Sequence, residues 1–114
     1  MADDAVYVNF AEGLKRMMNN PKLYVKLLAK FKDGTNTDAL EAAAEAQDLE
    51  KILGEAHTLK GLAANLSLSE LASQCLELEA RAKAGAVDPA QVGRVKAAFA
   101  ATLAEIDKVA AENG

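Results

Sequence analysis

Residues 57–61 read His-Thr-Leu-Lys-Gly and hold the one histidine of the chain. An exposed neutral imidazole is a good nucleophile, and phosphorus is a target it can attack without a catalytic triad. Lys60, three residues on, adds a positive charge that would stabilise an incoming phosphoryl group. Gly54 precedes His57 by three residues and Gly61 follows it by four, so on a helix the two glycines lie one turn below and one turn above the ring. A helix-interior glycine costs about 1 kcal/mol relative to alanine. Helix stability therefore does not account for this pair, whereas access to the ring nitrogen does. The plainer alternative is that the glycines let a neighbouring helix approach closely, and that His57 is an ordinary surface histidine.

Other chemistries fit poorly. With one histidine, and no cysteine in the same helix, a metal site lacks ligands. A hydrolase would need a nucleophile and an orienting acid beside the histidine. Thr58 points away, and Ser67 and Ser69 read as capping residues. Glu50, at i−7, could orient His57 through a water, although a plain surface carboxylate is the simpler reading.

These side chains depend on the helix that carries them. From Asp48 to about Leu66, apolar residues recur at Leu49, Ile52, Leu53, Ala56, Leu59, Ala63 and Leu66, the spacing of a bundle seam. At about 100° per residue, His57 falls roughly 120° from the centre of that stripe, on the solvent side. Upstream, residues 5–18 read as an amphipathic helix. Asn20-Pro21 opens a second, running to about Lys32 and closed by Asp33-Gly34. A third spans Ala39 to Gln47. Ser67-Leu68-Ser69-Glu70 matches a capping box, which predicts Ser67 as the cap of the next helix. That helix carries Leu68, Leu71, Ala72, Cys75, Leu78, Glu79 and Ala82 on its stripe and ends at Ala84-Gly85. Asp88-Pro89 starts the last helix, which runs to about Ala111. The pattern predicts an all-α fold: an antiparallel four-helix bundle with one or two additional short N-terminal helices, in one domain over residues 1–114.

Composition agrees. Apolar residues make up 51% of the 114 and aromatics 4%, with alanine and leucine dominant and no tryptophan. A formal charge of −4 argues against nucleic acid as the main partner. No run approaches the roughly 18 apolar residues of a membrane span. Cys75 is unpaired and falls in an apolar stripe, as a buried packing residue does. The Met1-Ala2-Asp3-Asp4 start lacks the features of a signal peptide, so a cytoplasmic protein is expected. The start at Met1 favours a free-standing chain. Lys15, Lys22, Lys26, Lys30 and Lys32 read as solvated faces.

The run from Ala56 to Leu66, Ala-His-Thr-Leu-Lys-Gly-Leu-Ala-Ala-Asn-Leu, resembles the signature of histidine-containing phosphotransfer (Hpt) domains. The likeness extends upstream through Phe10-Ala-Glu-Gly13-Leu14 and the stretch Asn20 to Phe31, so that it covers nearly the whole chain. The resemblance implies that His57 is the phosphorylated residue, that Lys60 assists the phosphoryl group and that Gly61 keeps access open. It implies a docking surface on the exposed face, with Gly54, Glu50 and Ala64 close to the partner. The implied role is a phosphorelay carrier, without ATP-dependent kinase activity of its own. It would take a phosphoryl group from a receiver-domain aspartate and pass it to another receiver domain. Partners would be receiver domains of response regulators and hybrid histidine kinases, which would bring Mg²⁺, while this chain would hold no cofactor or metal and act as a monomer. The position of His57 after two or three helices is closer to the relay type than to the amino-terminal domain of chemotaxis kinases. Ala64 and Ser67 depart from the family, which often has glycine at both positions, and this bears on the turn that ends the helix. The competing class is a non-catalytic helical module that binds a signalling partner through a bundle face.

Overall fold

The computed structural model describes residues 5–113, so the acidic Met1–Asp4 start lies outside the described residues. Among the described residues six helices form: α1 (Phe10–Arg16), α2 (Pro21–Gly34), α3 (Asp38–Glu45), α4 (Leu49–Asn65), α5 (Ser69–Lys83) and α6 (Pro89–Asn113). No strand occurs among the described residues. The long helices α2, α4, α5 and α6 make the bundle. Of the two short ones, α1 packs on α2, while α3 lies between bundle helices in chain order and packs on α4 and α6. No helix among the described residues is long and apolar enough to cross a membrane.

The helix starts follow side-chain chemistry. Asn20 accepts a hydrogen bond from the Leu23 N–H at 3.1 Å, with Pro21 in the first turn. Asp48 accepts from the Lys51 N–H at 3.2 Å and so opens the helix that carries His57. Facing stripes bury Leu28 and Phe31 of α2, Ile52, Ala56 and Ala63 of α4, Leu71 and Leu78 of α5, and Val95 and Ile106 of α6. Phe31 and Phe99 join α2 to α6, their ring centroids 5.8 Å apart and tilted by 53°. Cys75 is fully buried as its stripe position predicts, and burial pushes its thiol up to about 12, which keeps it in the inert protonated form.

Two local expectations are corrected. The first helix begins at Phe10, not at residue 5, because the preceding strap is held by other partners. The Glu70 N–H donates to the Val6 carbonyl at 2.8 Å and the Asn9 N–H to the Ser67 carbonyl at 2.9 Å. Asn9 then caps α1 through a bond from the Glu12 N–H. Ser67, in turn, does not cap α5. Leu68 occupies that position, with no side-chain bond to the helix.

Ser67 instead ends α4. Its φ of 59° is left-handed, and the N–H groups of Leu68 and Ser67 close onto the carbonyls of Ala63 and Ala64 at 2.8 and 3.2 Å. This is a Schellman closure with serine where glycine is usual. The Ser67 hydroxyl donates to Glu12 Oε1 at 2.8 Å, tying the turn to α1. Serine here, where the resembled signature often has glycine, therefore leaves the turn intact. Tyr24 adds a second tie: its buried hydroxyl donates to the Leu66 carbonyl at 2.6 Å.

Candidate functional site

His57 sits near the middle of α4, and its side chain is 68% exposed, as the helical phase predicts. Gly54 and Gly61 flank it on the open face, where a methyl group at either position would meet nothing within 4 Å. Close approach of a neighbouring helix is thus not what these glycines serve. Glu50 and Ala64 are exposed on the same face, while Leu59 and Ala56 point into the core. The concavity walled by Ala44, Ile52, Val87 and Val92 does not include His57. The imidazole stands on an open helix face, outside that concavity.

The residue that orients it comes from α5. Glu79 is nearly buried, with 7% of its side chain exposed, and Oε2 lies 2.9 Å from His57 Nδ1. Lys60 Nζ donates to the other oxygen, Oε1, at 2.6 Å, and Lys83 Nζ stands 3.9 Å from Oε2. The Lys60 hydrogen bond holds the Glu79 carboxyl below the usual glutamate range. Burial opposes this, and the His57 bond supports it. An ionised carboxylate can only accept, so Nδ1 carries the ring proton and donates it. The lone pair of the neutral ring is left on Nε2, the nitrogen facing away from Glu79.

The sequence places Glu79 in the α5 stripe and offers Glu50 as an orienting acid only through a water, its simpler reading being a plain surface carboxylate. Glu79 makes the direct bond. The available signal was the carboxylate itself: a glutamate in an otherwise apolar seam needs charged or hydrogen-bonding partners to be buried there. Lys60 is brought into the cluster. Gly54, Gly61, Glu50 and Ala64 share the open face but make no hydrogen bond or ion pair with His57.

The family model described as the Hpt domain matches residues 26–108. The chain belongs to the Hpt domain family. Hpt domains are histidine phosphotransfer modules of phosphorelays, built as helical bundles, and they carry phosphoryl groups without being kinases in general. The match spans α3 to α5 whole and most of α2 and α6, and so contains both His57 and Glu79. Searches of curated proteins and of solved structures gave no significant match. Among the described residues of this Hpt domain, no group of three or more His, Cys, Asp or Glu side chains is placed to hold a metal ion.

Proposed function

We propose that this Hpt domain relays a phosphoryl group through His57, taking it from an aspartyl phosphate on one receiver domain and giving it to the aspartate of another. The observation that carries the reading is the Nδ1–Glu79 bond at 2.9 Å on a ring that is otherwise open to solvent between two glycines. That bond selects the tautomer whose Nε2 is free to attack.

The step balances on the residues named. The Nε2 lone pair attacks phosphorus in line, the N–P bond forms, and the P–O bond to the aspartate breaks with the electron pair leaving on the carboxylate. The ring proton stays on Nδ1, so the phosphorylated ring carries a positive charge that faces the ionised Glu79. Lys60, anchored on Glu79, offers its remaining N–H groups to the phosphoryl oxygens. Gly61 and Gly54 leave room for the partner loop that brings the aspartate, and Ala64 and Glu50 border that contact. Mg²⁺ would belong to the receiver in this scheme and would supply charge neutralisation for the transferring group. Return transfer reverses each bond change, and the positively charged ring is then the leaving group.

The test uses a receiver domain phosphorylated with labelled acetyl phosphate. Wild type acquires acid-labile, base-stable label, His57→Gln acquires none, and Glu79→Gln retains the site but transfers more slowly because the tautomer and the ring charge lose their carboxylate. Label on His57→Gln would sink the assignment. Absence of label from a panel of phosphorylated receivers would favour a helical interaction module.

A further inference from the structure

Glu79 collects three groups on two oxygens, and they are not held alike. Lys60 donates to Oε1 at 2.6 Å, and its side chain is only 27% exposed. Lys83 shares Oε2 with the His57 ring, at 3.9 Å, beyond hydrogen-bonding length, with 66% of its side chain exposed. One lysine is committed to the carboxylate and fixes its charge. The other is loosely attracted to the same oxygen that orients the ring, and its three N–H donors are available. Lys60 reaches the cluster from the helix of His57, Lys83 from the last residue of α5, so two cations from different helices meet the carboxylate that holds the imidazole.

From this arrangement we infer that Lys83 is a second phosphoryl-binding residue, closing over the phosphoryl group on His57 from the α5 side. The inference rests on the reading of His57 as the phosphorylated residue. As the phosphoryl group reaches Nε2, in the transition state and after it, the strongest local anion is the phosphoryl and not Glu79, which already has Lys60 and the ring proton. Lys83 then exchanges a long contact with Oε2 for charge-assisted hydrogen bonds to phosphoryl oxygens. No bond other than N–P is made and no proton moves. The plainer role for a lysine at this position is to complement the carbonyl end of α5. That role predicts an effect on stability and none on transfer.

The experiment measures single-turnover transfer from the receiver loaded with labelled acetyl phosphate onto wild type, Lys83→Gln, Lys83→Arg and His57→Gln, together with helicity and Tm. Loss of one charge-assisted contact in the transition state slows Lys83→Gln by about tenfold. Lys83→Arg restores most of the rate, and the advantage of wild type over Lys83→Gln shrinks as salt rises, since an exposed cation is screened. Wild-type rates in Lys83→Gln would overturn the inference alone, leaving His57 in place. Slowing that follows a loss of Tm, is insensitive to salt and is not rescued by arginine would also overturn it. No label on wild type would remove the relay reading and this inference with it.

Discussion

Gly13 and Gly61 are the same residue placed for opposite reasons. A methyl group on Gly13 would run into the ring of Tyr24, whereas one on Gly61 would meet nothing within 4 Å. Around Gly13 the molecule is filled: Tyr24 is fully buried, packs against Phe10 at a centroid distance of 5.6 Å and bonds the last turn of α4 through its hydroxyl. Around Gly61 the surface is kept clear beside His57. One glycine lets two helices touch, and the other keeps a helix face bare. Protein interiors are packed closely enough that one methyl matters in the first place, while in the second it matters to a visitor alone.

That contrast can be broken by mutation. Gly13→Ala should have the largest effect on stability, about 1–3 kcal/mol from overpacking against a ring fixed at both ends, read as a fall in Tm of roughly 4–8 °C per kcal/mol. An unchanged Tm would mean that the Tyr24 ring yields and the contact is not tight. Tyr24→Phe should cost less, roughly 1–2 kcal/mol for the carbonyl of Leu66 left without its donor.

Tyr24 also has a pH signature. Burial, and secondarily the charge of Glu12, pushes its hydroxyl up to about 12 from an ordinary 10.0. The folded state therefore keeps the proton longer than the unfolded chain. The stability this provides is complete below the unfolded value and is lost as pH rises through the folded one. Thermal melts of wild type should weaken between those two values, and the Phe variant should lose that part of the alkaline decline. Matching alkaline profiles would place the sensitivity elsewhere.

Gly61→Ala should have the smallest effect and the opposite sign, a gain of about 0.5–1 kcal/mol in an exposed helix interior. Gly61→Leu should keep helicity and slow phosphoryl transfer from a receiver. Transfer at the wild-type rate in that variant would refute the access role and end the contrast with Gly13.

Much of this was legible before the structure. The α4 stripe placed His57 on the solvent side because helical phase depends on spacing alone, and Asn20 caps its helix as its side chain predicts. Ser67 misled because its capping-box spacing is local, while its conformation answers to α1 and the N-terminal strap, through Glu12 and Asn9. Residues 5–9 misled for the same reason: an amphipathic pattern does not reveal that a distant N–H, that of Glu70, will take the Val6 carbonyl.

By itself, then, the sequence determined an all-helical chain, the seam of α4, an imidazole facing outward and two glycines beside it, all consequences of residue type and periodicity. Which carboxylate meets that imidazole was decided by tertiary structure. Glu79 lies 22 residues from His57, on another helix, and its distance to Nδ1 follows from how α4 and α5 pack. The ring's proton, its free nitrogen and the cations around it follow from that contact, because hydrogen-bond geometry is set in space and no spacing along the chain encodes it.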